Sequence, residues 1–146
     1  MRRKKATPKK LTVADRALIK AASRLIERRY SIGRHHIAAA VQTKNGKTYL
    51  GLHLDTYVGR ASVCAEAVAV GRALASGADP IVRVVSVRHP RPTEASQELH
   101  VVSPCGVCRE LLMDFAPKSE VILRENGRLT RVAAADLLPS KYRRAG

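Results

Sequence analysis

The stretch Val102-Ser103-Pro104-Cys105-Gly106-Val107-Cys108-Arg109-Glu110-Leu111-Leu112 reads as the opening of a helix that carries two thiols. Ser103 suits an N-cap and Pro104 the first helical position. Cys105 and Cys108, three apart, then fall on one face of the first turn. The remaining cysteine, Cys64, stands in Ser62-Val63-Cys64-Ala65-Glu66-Ala67, where Ser62 suits a cap and Cys64 starts a second helix. Helix N-termini favour anions, so both openings favour thiolates. Three thiolates make a zinc site whose fourth tetrahedral position is open to water, as in a catalytic centre. Glu66, two residues from Cys64, is placed to take a proton from that water and hand it on. Zinc with three thiolates carries net negative charge, which opposes acidification of the water. Arg109, beside Cys108, is the cation assigned to offset it, together with the helix dipoles.

Other readings of the same residues stand beside this one. A Cys-x-x-Cys pair is also a redox motif, although no thioredoxin-like β-α-β context surrounds it. A structural zinc site would add His53, His89 or His100 as fourth ligand. Three inert thiols in a core are a further alternative. His35 and His36, at the start of a strand, read either as ligands for metal or substrate or, more commonly for such a pair, as strand-end polar groups.

The 146 residues, with 45% apolar content, describe one domain with a single core. No apolar run approaches the ~20 residues that span a bilayer, and no hydrophobic segment follows the basic Met1–Lys5 start, so neither membrane nor export is expected. Three cysteines suit metal binding in a reducing cytoplasm better than a disulfide framework. The net charge of +15 invites a nucleic-acid reading. However, Arg2, Arg3, Lys4, Lys5, Lys9 and Lys10 lie in the first ten residues, and Lys141, Arg143 and Arg144 in the last six. Most of the excess therefore sits in two tails, which can touch phosphate loosely without making nucleic acid the substrate. With one Phe, four Tyr and no Trp, platforms for stacking bases are scarce.

Residues 1–10 are expected to form a basic disordered arm, and 11–146 a single catalytic domain. Thr12-Val13-Ala14-Asp15 resembles a capping box, and the apolar spacing after it predicts a helix to about Arg29. Strands 37–43 and 48–54 flank Asn45-Gly46, a hairpin signal. A helix from Val63 to about Ser76 ends before Gly77. The β-branched run 81–87 belongs at the sheet centre, and the Pro-rich 89–98 is a loop that rims the pocket. A third helix runs from Pro104 to about Phe115. Strands 121–123 and 129–132 flank Asn126-Gly127, and 133–138 is a short helix. The order α-β-β-α-β-α-β-β fits a mixed sheet of five strands with helices on its faces.

Cys-x-Glu followed by Pro-Cys-x-x-Cys is the signature of zinc deaminases. In detail, 63–67 and 102–112 resemble the two zinc motifs of the cytidine deaminase family, and the resemblance runs from about Leu11 to Tyr142. That family usually has Gln where Glu110 stands and often Arg where Ala67 stands. The resemblance implies a three-layer α/β/α fold with a five-stranded mixed sheet. It implies Zn²⁺ on Cys64, Cys105 and Cys108, with Glu66 carrying the proton. It also implies a homotetramer whose sites lie near subunit interfaces. The N–H of Ala65 and the backbone around Ser103 would meet the pyrimidine. The family's sugar-side Phe and Asn-x-Glu correspond by position to His35, His53 and Asp55, so all three depart from the pattern. Leu137-Leu138-Pro139-Ser140-Lys141-Tyr142 resembles the ending of blasticidin S deaminases, which act on a cytosine-containing antibiotic. Tyr142 would be the aromatic that reaches a neighbouring site. The expected activity is hydrolytic deamination of cytidine or deoxycytidine, with ammonia release, in pyrimidine salvage. The alternatives are a blasticidin S-like nucleoside or another aminated heterocycle as substrate, or a nucleic-acid-associated protein with structural zinc.

Overall fold

The computed structural model describes residues 7–146. Three α-helices, α1 (Val13–Arg29), α2 (Ala65–Ala75) and α3 (Gly106–Phe115), enclose six strands: β1 (Ile37–Thr43), β2 (Thr48–Leu52), β3 (Ile81–Arg88), β4 (His100–Val102), β5 (Glu120–Glu125) and β6 (Arg128–Ala133). Among the described residues the strand order is β2-β1-β3-β5-β6, mixed, with the β3–β5 pair parallel and the other pairs antiparallel, and β4 joins β3 off this path.

Side-chain alternation along the strands divides the core in two. Ala38, Ala40, Val85, Val87 and Ile122 pack against Leu18, Ala22 and Ile26 of α1. Ala39, Val41, Val84, Val121 and Leu123 face the other way, onto α2 and α3. This is the expected three-layer arrangement. The capping box at Thr12 and Asp15 is complete in both directions, and Asn126 and Gly127 both take positive φ in the β5–β6 turn.

The sheet has a sixth strand beyond the expected five. The β4 segment is only three residues long, squeezed between the Pro-rich loop and Pro104, which is too short to show a period of two. Pairing with β3 creates it. Along one edge of β3, residues 83–85 pair with β5 and residues 86–88 with β4. Val102 therefore meets Ser86 next to where Ile122 meets Val85. The chain leaves β4 at mid-sheet, in the gap where two strands diverge, and three residues later it reaches Cys105.

Neither expected serine cap forms. The N-cap positions are Cys64 and Cys105 themselves. Ser62 instead accepts the Thr56 N–H at 3.1 Å, and Ser103 accepts from Arg109 at 3.1 Å.

The basic arm differs in part from expectation, and the C-terminal tail is also tied down. Arg2, Arg3, Lys4 and Lys5 lie outside the described residues. Lys9, however, exchanges two backbone hydrogen bonds with Arg131 on the outer side of β6. Its ammonium pairs with Glu120, so the arm is anchored before residue 10. Near the other end, Lys141 is 8% exposed and pairs with Glu110 and Asp114 of α3 at 2.5 and 3.3 Å. The acidic Glu110, where the family usually has an amide, thus has a matching cation.

Candidate metal centre

The N-terminus of α2 is seated by close backbone approach. Ala65, Ala69 and Ala73 lie four apart on one helical face and are fully buried. Opposite them on β2 is Gly51, where a Cβ would run into Ala69 N and come within 2.5 Å of Ala65 O. Small residues on both sides bring α2 against the sheet and fix the height of Cys64 and Glu66. A two-residue clasp, Leu54 paired with Val63 by hydrogen bonds of 2.9 Å in both directions, folds the 55–62 loop back. Asp55 thereby comes beside Ser62, two residues before Cys64.

The three sulfurs converge from two helix openings, all within 4.8 Å of one another. Cys64 Sγ and Cys105 Sγ are 3.5 Å apart, across 41 residues of chain. All three are free thiols, soft ligands in a cluster compact enough for one zinc ion. The environments of the thiols differ. Burial pushes the Cys108 pKa far up, reinforced by Glu66 and Cys64. Burial and the contact with Cys105 also raise that of Cys64. At Cys105, burial is outweighed by the N–H groups of Cys108 and Val107 and by the neighbouring thiols, so its pKa is lowered.

Glu66, in the first turn of α2, is 5% exposed, and its charge acts on both Cys64 and Cys108. Among the described residues, no histidine and no carboxylate joins the thiol cluster. His53, His89 and His100 lie elsewhere. His89 stacks on Tyr30 at 3.9 Å and donates to the Pro90 carbonyl. His100 sits in β4. The His53 carbonyl accepts from His35 Nδ1 at 2.8 Å, while its own buried Nδ1 has no hydrogen-bond partner among the described residues.

Arg109 forms a clamp. Its guanidinium donates to the Pro104 carbonyl (2.9 Å), the Leu137 carbonyl (3.2 Å) and Ser103 Oγ (3.1 Å). It thus ties the start of α3 to the short 3-10 turn at Ala134–Leu137. Tyr142 is 77% exposed. His36, expected with His35 as either a ligand or a strand-end polar group, has partners that its sequence position does not indicate. It is buried, and its Nε2 accepts the Gly33 N–H at 2.9 Å and lies 3.9 Å from Asp55 Oδ2. The adjacent pair His35-His36 was the only signal, and it carries no information about a partner 19 residues away.

Comparison with known proteins agrees with this geometry. Residues 12–124 match the family model described as the cytidine and deoxycytidylate deaminase zinc-binding region. The chain is 41% identical over 130 residues to a blasticidin-S deaminase of Bacillus cereus, spanning 89% of this chain and 93% of that protein. Crystal structures of cytidine deaminases superpose on it. That from Burkholderia pseudomallei has a TM-score of 0.71 at 28% identity, covering 90% of this chain and 100% of the other. That from Bacillus anthracis has a TM-score of 0.72 at 25% identity, covering 90% of each. With the family matched over most of its length and three thiols gathered as a zinc site requires, the chain belongs to the cytidine and deoxycytidylate deaminase family of zinc-dependent hydrolytic deaminases.

Proposed function

We propose that this enzyme deaminates a cytosine-bearing nucleoside, with a blasticidin S-like nucleoside ahead of cytidine or deoxycytidine. The carrying observation is the sugar side. His35, His53 and Asp55 replace the Phe and Asn-x-Glu pattern of nucleoside enzymes, while the relative at 41% identity is named for blasticidin S. Cytidine and deoxycytidine, first in the sequence reading, become the second reading, supported by the solved cytidine deaminases. A structural-zinc protein is not favoured, because none of its candidate histidines joins the cysteines.

Cys64, Cys105 and Cys108 would hold the metal. Bound there, zinc supplies the Lewis acidity that makes water a competent nucleophile near neutral pH. Glu66 then does the proton work. Buried beside the thiols, its carboxylate would relay the two protons of the attacking water in turn, the first to the ring nitrogen and the second to the amine, which leaves as ammonia as the carbonyl forms. The Ala65 N–H and the Ser103 backbone, at the two helix openings, hold the pyrimidine. His53, with its unpartnered buried nitrogen, and Asp55 receive the sugar. Arg109 keeps positive charge next to Cys108 and fixes the α3 opening through its clamp. Tyr142, exposed in the single chain, reaches a neighbouring site in a homotetramer. Three unpaired thiols fit a cytoplasmic setting. Among the described residues, no helix is long and apolar enough to cross a membrane. Toward nucleic acid, the basic ends offer no more than loose phosphate contact.

The test is ammonia release from blasticidin S, cytidine, deoxycytidine, cytosine and a single-stranded oligonucleotide by the zinc-loaded enzyme, with Glu66→Gln as control. Turnover of blasticidin S well above cytidine is expected, with a loss of about 10³-fold or more in the variant while zinc stays bound. Turnover untouched by Glu66→Gln would remove Glu66 from the mechanism. Activity confined to cytidine would restore the second reading.

A further inference from the structure

His36 stands between two partners that cannot both use the same nitrogen. Its Nε2 accepts the Gly33 N–H at 2.9 Å, which requires that nitrogen to be unprotonated. Asp55 Oδ2 lies 3.9 Å from the same atom, within reach of a charged N–H after a small shift. Both partners matter to the pocket. Gly33, at φ +71°, shapes the 31–35 turn, and the Arg34 carbonyl of that turn accepts the Asp55 N–H at 2.8 Å. Asp55 Oδ1 in turn accepts from Ser62 Oγ at 3.4 Å. A line of side chains therefore runs from His36 through Asp55 and Ser62 to the segment that carries Cys64.

We propose that His36 is a positioning residue for substrate: neutral, it holds the Gly33 turn and leaves Asp55 to the sugar, and protonated, it releases Gly33 and captures Asp55. This rests on Asp55 facing the sugar. The side chain of Asp55 is 35% exposed, so it is open to a ligand in the neutral state.

The surroundings favour the neutral state at physiological pH. Tyr30, at the end of α1, meets the imidazole edge-on at 5.6 Å. His53, after β2, lies with its ring 6.0 Å away. Arg88, at the end of β3, and Arg91, in the loop beyond it, add positive charge, although Arg88 is engaged by Glu94 at 2.9 and 2.6 Å. Burial first, then Arg91, His53 and Arg88, push the His36 pKa below the ordinary imidazole value, against the pull of Asp55. Substrate binding should therefore be insensitive to pH near neutrality and weaken on acidification.

The first experiment needs no substrate. Nitrogen-15 NMR of the zinc-loaded protein should show His36 as the Nδ1–H tautomer, with the Gly33 amide shifting in step with its titration. Asp55→Asn should lower that pKa further by removing the one group that favours the cation. The second measures KM and kcat against pH for blasticidin S and cytidine. KM should rise about tenfold per pH unit below the His36 pKa, with kcat following a separate profile. His36→Gln, whose amide can accept the Gly33 N–H but cannot titrate, should flatten the KM limb. A Gly33 amide indifferent to His36 titration overturns the proposal, as does a KM limb that survives in His36→Gln. Absence of turnover on both nucleosides counts against the proposed substrate class, and the NMR result still decides the His36 exchange.

Discussion

At the scale of single residues, the thiols and Glu66 were readable because spacing along the chain places them. Cys105 and Cys108 lie within one turn, and Glu66 lies two residues from Cys64. His36 was not readable, because its role depends on Gly33 and Asp55, which a turn and the 55–62 loop bring together. The three thiols should also behave differently in metal-free protein. Cys105 is exposed and its pKa is lowered, whereas Cys108 is buried and its pKa is raised. Since the thiolate is the nucleophile, iodoacetamide at neutral pH should label Cys105 first and Cys108 last in chelator-treated protein, as mapped by peptide mass. Stoichiometric zinc should suppress all three. Equal labelling of Cys108 and Cys105 would contradict this ordering.

At the scale of elements, α1, the two hairpins and the Gly77 stop of α2 follow from local signals: the capping box, Asn-Gly turns and a glycine at φ +64°. What the chain did not disclose was made by partners. The β4 segment exists because β5 leaves residues 86–88 of β3 open on that edge. The helix openings shifted onto the cysteines because Ser62 and Ser103 had other hydrogen bonds to make. The seat of α2 on β2 was equally hidden, since Gly51 alone gives no hint that a helix backbone lies over it. Gly51→Ala should destabilise the fold by about 3 kcal/mol, the upper range for overpacking, because backbone rather than a pliable side chain meets the new methyl. Urea unfolding of the zinc-loaded protein measures this. Zinc affinity should fall as well, because α2 carries Cys64. Unchanged stability would mean that α2 is not seated as described.

At the scale of the whole molecule, charge is concentrated where the layers meet. Asp15, 1% exposed at the start of α1, accepts from Arg83 at 2.7 Å and lies 3.4 Å from Arg131, while Glu120 pairs with Lys9, Arg83 and Arg131. Burial opposes ionisation of both carboxylates, but hydrogen bonds and guanidinium charge outweigh it and lower both pKa values. Their stabilisation is thus present above the unfolded carboxylate pKa of about 4 and is lost as pH falls through the lower folded values. His36, kept neutral by burial, adds a loss that begins below the unfolded imidazole value of about 6.5. Stability should therefore fall monotonically on acidification. Asp15→Asn should cost about 3 kcal/mol near pH 7, the low end for breaking a buried pair because Glu120 still faces both guanidiniums. Urea titration at several pH values checks both statements, and a variant as stable as wild type would dismiss Asp15 as a fold determinant. The backbone pairing of Lys9 with Arg131 has one more consequence. It covers part of the outer edge of β6, which has no other strand partner among the described residues, the kind of edge through which sheets of separate molecules join. Trimming the basic arm only as far as Thr7 leaves that edge guarded, whereas a chain begun at Leu11 would offer an open template for self-association, its solubility decided by four residues outside the zinc motifs.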